Sequence, residues 1–144
     1  MECWVGFSYH DNWLSNLMRQ KMNKPYSHVF MLFECNNQLL VLQATRVGVA
    51  ALGYDAFKAK NKIIGLKKIT NLIQADAAFD YCIKKLGTPY GFLAIIAIGL
   101  GIHYEDGEKT LICSEYVSRA LGIDPEKLPD LITPADVEAA IGGF

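Results

Sequence analysis

A cysteine, a histidine and a glutamine in this chain are spaced so that they can meet around one acyl group. The run TLICSEYVSRALG, from Thr110 to Gly122, has the pattern of an amphipathic helix that opens on Cys113 and closes on Gly122. Unpaired N–H groups and the positive end of the dipole at a helix N-terminus favour an anion. Cys113 is therefore expected where its thiolate, the attacking form, is stabilised. Far upstream, Tyr26-Ser27-His28-Val29 places His28 at the start of a strand-like run, a base of the kind such a thiol requires. Together they point to nucleophilic catalysis by cysteine.

The third member follows from hairpin geometry. Runs 27–35 and 38–45 alternate and are β-rich, and Asn36-Asn37 between them is a plausible two-residue turn because asparagine tolerates positive φ. In that register Cys35 faces Gln38, His28 faces Thr45 and Phe30 faces Gln43, which leaves Gln43 diagonal to His28 on the same face. The diagonal is about 7–8 Å between backbones, within reach of a long side chain. The glutamine carbonyl can then accept a ring N–H from His28 and fix its tautomer, leaving the other nitrogen for the thiol. Glu34 shares that face but lies along the strand by about 20 Å, too far to orient the ring. A turn longer or shorter by one residue would send Gln43 to the opposite face.

The remaining elements are read from periodicity and punctuation. A first strand is expected over 2–9, then Asp11 or Asn12 as the cap of a helix with Trp13, Leu14, Leu17, Met18 and Met22 on one stripe, ended by Pro25. A short helix is expected over 54–60 and a strand over 62–69. Asn71 can cap a helix over 72–86 with Leu72, Ile73, Phe79, Ile83 and Leu86 as its core stripe, ended by Gly87-Thr88-Pro89. The greasy segment 92–102 reads as a buried helix and 103–109 as a polar loop. Thr133-Pro134 opens a last short helix to Ala140. Strands first and helices later, around one core, define an α+β class with an antiparallel sheet packed against helices, in a single domain over 1–144.

Composition narrows the function. The 144 residues are 51% hydrophobic, enough for one substantial core. With 14 basic and 15 acidic residues the net charge is −1, and no basic stripe is present to neutralise a phosphate backbone, so nucleic acid is not an expected partner. No segment approaches the roughly 20 apolar residues that span a bilayer. The first residues lack the charged and apolar regions of a signal peptide, so a cytoplasmic location, or delivery by lysis or within a virus particle, is expected. Cys3, Cys35, Cys82 and Cys113 form no C-x-x-C pair and no close Cys/His spacing, so neither zinc nor a disulfide framework is indicated. No metal and no organic cofactor is implied.

Five motifs in order carry a resemblance: Ser27-His28-Val29; Leu42-Gln43-Ala44 with Gly48-Val49; Gly87-Thr88-Pro89-Tyr90; Cys113-Ser114-Glu115; and Thr133-Pro134-Ala135-Asp136. Their order resembles the circularly permuted papain-like branch of the NlpC/P60 superfamily, the YaeF/YiiX-type amidases, over nearly the whole chain. The resemblance implies a papain-like fold in which the histidine strand precedes the nucleophile helix. It implies Cys113 as nucleophile, His28 as general base and later acid, Gln43 where many relatives carry a glutamate, and Tyr90 near substrate or oxyanion. It also implies hydrolysis of an amide through an acyl-enzyme, with peptide or cell-wall stem peptide as substrate. A neutral amide at position 43 orients imidazole but stabilises imidazolium less than a carboxylate would.

Other readings fit the same residues. On pattern alone a cysteine in an apolar helix also suits a small core residue, and Ser114 is a weaker alternative nucleophile. Glu115 suits a first-turn partner of the dipole. Tyr90 suits simple packing after Pro89, and His10 and His103 suit loops. Thiol chemistry on a lipid or ester, or a module that binds without turnover, are the rival functions.

Overall fold

The computed structural model describes residues 1–90, 112–129 and 131–144. The helix expected over 92–102, the loop over 103–109 and His103 lie outside them. Strands β1 (Cys3–Tyr9), β2 (His28–Cys35), β3 (Gln38–Thr45), β4 (Gly48–Gly53) and β5 (Lys62–Ile69) make one sheet in the order β4-β3-β2-β1-β5. Every neighbouring pair is antiparallel. The class is α+β, with the sheet packed against helices, as its element order predicts.

The hairpin of β2 and β3 sets the register on which the site depends. Asn36 and Asn37 take φ of 50° and 62°, the positive pair that a two-residue turn with the strands' own twist demands. Cys35 faces Gln38 and Met31 faces Leu42, as that turn dictates. β2 is the central strand and is buried on both faces, which is why HVFMLFEC is almost continuously apolar. Val29, Met31 and Phe33 join the main core, while Phe30 and Leu32 pack with Val41 and Phe57 on the opposite face. Gly6 lies directly across from Phe30, and a side chain there would run into the Phe30 ring.

β4 is a strand the sequence does not announce. Gly48-Val-Ala-Ala-Leu-Gly53 is poor in β-branched and aromatic residues, and it becomes a strand by pairing along β3 at the sheet edge.

Helices α1 (Trp13–Met22), α2 (Tyr54–Lys60), α3 (Leu72–Lys84), α4 (Cys113–Ala120) and α5 (Pro134–Ala140) complete the described chain, with a 3-10 turn at Pro125–Lys127. Asn12 is the cap of α1, its side chain accepting from the Ser15 N–H at 2.8 Å. Asn23, left-handed at φ 54°, ends that helix before Pro25 is reached. Trp13, expected in the stripe, is 69% exposed, and the buried residues are Ser15 and Met18.

α3 departs further from expectation. It stops at Lys84, and of the expected stripe Leu72 and Ile73 are 62% and 83% exposed, Ile83 and Leu86 also lie outward, and only Phe79 packs inward. Ala75, Ala78 and Cys82 face the core instead. Small residues let α3 approach α4 closely enough for the Tyr116 hydroxyl to donate to the Cys82 carbonyl at 3.1 Å and for the Gln74 amide to donate to the Leu121 carbonyl at 2.9 Å. Those bonds and the close approach select the small face. No described helix is long and apolar enough to cross a membrane.

Candidate active site

His28 opens β2 and Gln43 sits near the end of β3. The His28 Nε2–H donates to Gln43 Oε1 at 2.8 Å. A carbonyl oxygen only accepts, so Nε2 carries the proton and Nδ1 is the nitrogen free to act as a base. Phe30 and Phe57 flank the imidazole, each ring centroid 6.3 Å away. Burial in these surroundings lowers the His28 pKa to about 4, although the Gln43 bond pulls the other way.

Cys113 is the first residue of α4, after Ile112 as a cap without a side-chain bond. α4 packs on β2 and β3. The backbone N–H of Val29, the residue next to His28, is directed at the sulfur, as are those of Ser114 and Cys113 itself. Even so, burial dominates and pushes the thiol up to about 11. The expectation that the helix terminus yields a resting thiolate is thereby corrected. Removal of the sulfur from water outweighs the N–H groups, so unliganded Cys113 and His28 rest as neutral thiol and neutral imidazole.

Cys113, His28, Gln43 and Tyr90 line one cavity of about 370 Å³. Tyr90 is carried by a loop fastened to β4: Val49 N–H donates to Thr88 O and Gly87 N–H to Val49 O, both at 2.9 Å. Gly48, at φ 109°, would press a side chain against the Thr88 carbonyl at 2.9 Å, so this junction requires glycine. Burial raises the Tyr90 hydroxyl pKa, ionisation of the neighbouring Cys113 would raise it further, and Arg46 opposes the rise. The phenol therefore stays protonated.

Ser114, Glu115 and the other three cysteines do not line the cavity. Ser114 is fully buried and its hydroxyl donates to the Ile132 carbonyl, holding α4 in place. Glu115 faces Arg119 one turn on, at 3.4 Å. Cys3 and Cys82 are buried and Cys35 half-buried, and all four cysteines are free thiols. His10, expected simply in a loop, lines the cavity, with its Nδ1 on the Lys60 carbonyl at 2.7 Å. Arg46 and Lys60 also line it. No sequence pattern links these three, because turns and helix ends distant along the chain bring them together.

The fold and cavity define an α+β protein with a thiol helix packed against a histidine strand. Among solved structures, the chain is similar to the crystal structure of the metalloprotein YiiX from Escherichia coli O157:H7 (DUF1105), with a TM-score of 0.63 and 20% identity. The match covers 83% of this chain and 66% of that one, so this chain spans about two thirds of the YiiX structure. It establishes a shared fold. No protein-family model matches the chain, and no curated protein matches it in sequence. Among the described residues, no group of three or more His, Cys, Asp or Glu could hold a metal ion.

Proposed function

We propose that this chain is a cysteine hydrolase of the permuted papain-like NlpC/P60 type, cleaving an amide through an acyl-enzyme, with peptides, including cell-wall stem peptides, as substrates. The observation that carries the reading is the His28–Gln43 bond of 2.8 Å beside a helix-terminal cysteine in the same cavity. It holds one imidazole nitrogen and leaves the other for the thiol.

From the neutral resting pair, His28 Nδ1 takes the thiol proton as Cys113 Sγ forms a bond to the substrate carbonyl carbon. The carbonyl electrons move onto oxygen, where the Cys113 backbone N–H and the Tyr90 hydroxyl can donate to the developing charge. As the intermediate collapses, the C–N bond breaks and imidazolium gives its proton to the leaving amine. Water then attacks the thioester with His28 again as base, releasing the acid and the thiol. Gln43 keeps the ring oriented throughout, and its neutral oxygen supports imidazolium less than a carboxylate would.

Mass spectrometry tests this directly. Incubation with peptide amides should give carboxylic acid and amine products and, on quenching, a Cys113-linked acyl adduct. Turnover confined to phospholipid or acyl esters would favour the lipid reading instead. Absence of both products and adduct would leave a binding module.

A further inference from the structure

Resting on the hydrolase reading, we propose that Ser8 is a further positioning residue for the reaction: its hydroxyl oxygen accepts from the Nδ1–H of His28 while the imidazole carries the thiol's proton. Ser8 is fully buried, and its hydroxyl has no hydrogen-bond partner among the described residues. A buried polar group in that state costs stability, so its presence needs a reason. Arg19 Nε and Tyr81 Oη share the state, but Arg19 also bonds Asn16 through another nitrogen and Tyr81 feels the Arg119 charge. Ser8 has one polar side-chain atom, so it is left with none.

The register supplies the reason. Ser8 on β1 pairs directly with His28 on β2, and directly opposed residues share a face with their Cβ atoms about 4.5–5.5 Å apart. On its other side Ser8 pairs with Ile63 of β5, and the preceding residue on its face, Gly6, is covered by the Phe30 ring. His28 is the polar side chain among these neighbours. The order β3-β2-β1 sets Gln43 and Ser8 on opposite sides of it. Nε2–H is spent on Gln43, and the two ring nitrogens diverge, so Nδ1 turns towards the β1 side. Neutral Nδ1 carries no hydrogen, and the resting pair makes no bond. Once Cys113 Sγ gives up its proton, Nδ1–H forms between the Phe30 and Phe57 rings, with the neutral Gln43 oxygen as acceptor at Nε2. A hydroxyl free to turn can present a lone pair to that hydrogen, and a bond made to the charged ring alone favours the charged ring. The proton then passes from Nδ1 to the leaving nitrogen as the C–N bond breaks, and Ser8 neither gains nor loses one.

Ser8→Ala removes that oxygen and little else. Its thermal midpoint should equal or exceed that of wild type, because the deleted hydroxyl has no partner at rest. In NMR spectra the His28 ring should titrate at a lower pH than in wild type. The other ionisable groups lining the cavity with His28, namely His10, Arg46, Lys60, Tyr90 and Cys113, are untouched by the substitution. On a cleaved peptide amide kcat should fall by about tenfold with KM unchanged. Ser8→Thr, which keeps a hydroxyl, should recover much of both. A Ser8→Ala protein whose His28 titration is unmoved overturns the proposal whatever its rate. A clearly lowered thermal midpoint overturns it too, since the hydroxyl would then be a structural partner. If the titration moves while wild type cleaves no peptide, the Ser8–His28 contact stands and the hydrolase reading falls. If wild type cleaves and Ser8→Ala matches it in titration and kcat, the role of Ser8 alone falls.

Discussion

The proton held between His28 and Gln43 decides what each side chain contributes. His28→Ala removes the base and should lower kcat/KM on a cleaved peptide amide by a factor of about 10² to 10⁴. Gln43→Ala removes only orientation and should leave more activity than His28→Ala. Gln43→Glu keeps the acceptor and adds a charge that supports imidazolium, so it should hold or raise the rate. A Gln43→Glu protein that folds yet is as inactive as His28→Ala would detach Gln43 from the imidazole. The neutral resting pair has its own signature. With the thiol at about 11 and the imidazole at about 4, iodoacetamide labelling of Cys113 should climb steadily with pH from neutral into the alkaline range. A plateau at mildly acidic pH would instead reveal a preformed thiolate–imidazolium pair.

Each element places its residues through a different physical signal, and the signals differ in how legible they are. The Asn36-Asn37 turn was readable because positive φ at two successive positions narrows the residue choice, and a two-residue loop then dictates register. The caps at Asn12, Asn71 and Thr133 were readable for the same local reason. The buried face of α3 was not, because periodicity ranks faces by hydrophobicity while packing against α4 rewards closeness. Ile73→Lys on the outward face should therefore change stability by no more than about 0.5 kcal/mol. Ala78→Leu on the inward face should cost about 1–3 kcal/mol through overpacking. Urea midpoints of the two variants check this, and the opposite ranking would restore the face that the apolar pattern favours.

For the whole molecule, buried titratable groups set the pH range of stability. His28 keeps a pKa of about 4 in the fold against a usual 6.5, so between these values the unfolded chain binds the proton and the native one does not. Stability should fall as pH drops from 6.5 towards about 4. Cys113, near 11, and Cys3 and Cys82, near 12, hold protons in the fold that the unfolded thiols release from about 9. Stability should fall again as pH rises through that window. Thermal unfolding across pH should show both limbs, and His28→Asn should flatten the acid limb alone. An acid limb unchanged in that variant would show that His28 is not the group responsible. We also expect one cooperative transition, with fluorescence and circular dichroism coinciding, because the apolar clusters on the two faces share one sheet.

The sequence by itself determined the α+β order of elements, the hairpin register and the pairing of His28 with Gln43, because these follow from backbone rules acting over a few residues. It also marked Cys113 as the opening residue of a helix. Only the tertiary structure decided that β4 pairs at the sheet edge, that α3 turns its alanines inward, and that His10, Arg46 and Lys60 converge on the thiol's cavity. It also decided the resting charge of Cys113. A helix terminus is a local property, whereas desolvation depends on everything packed around the sulfur, and here the surroundings prevail.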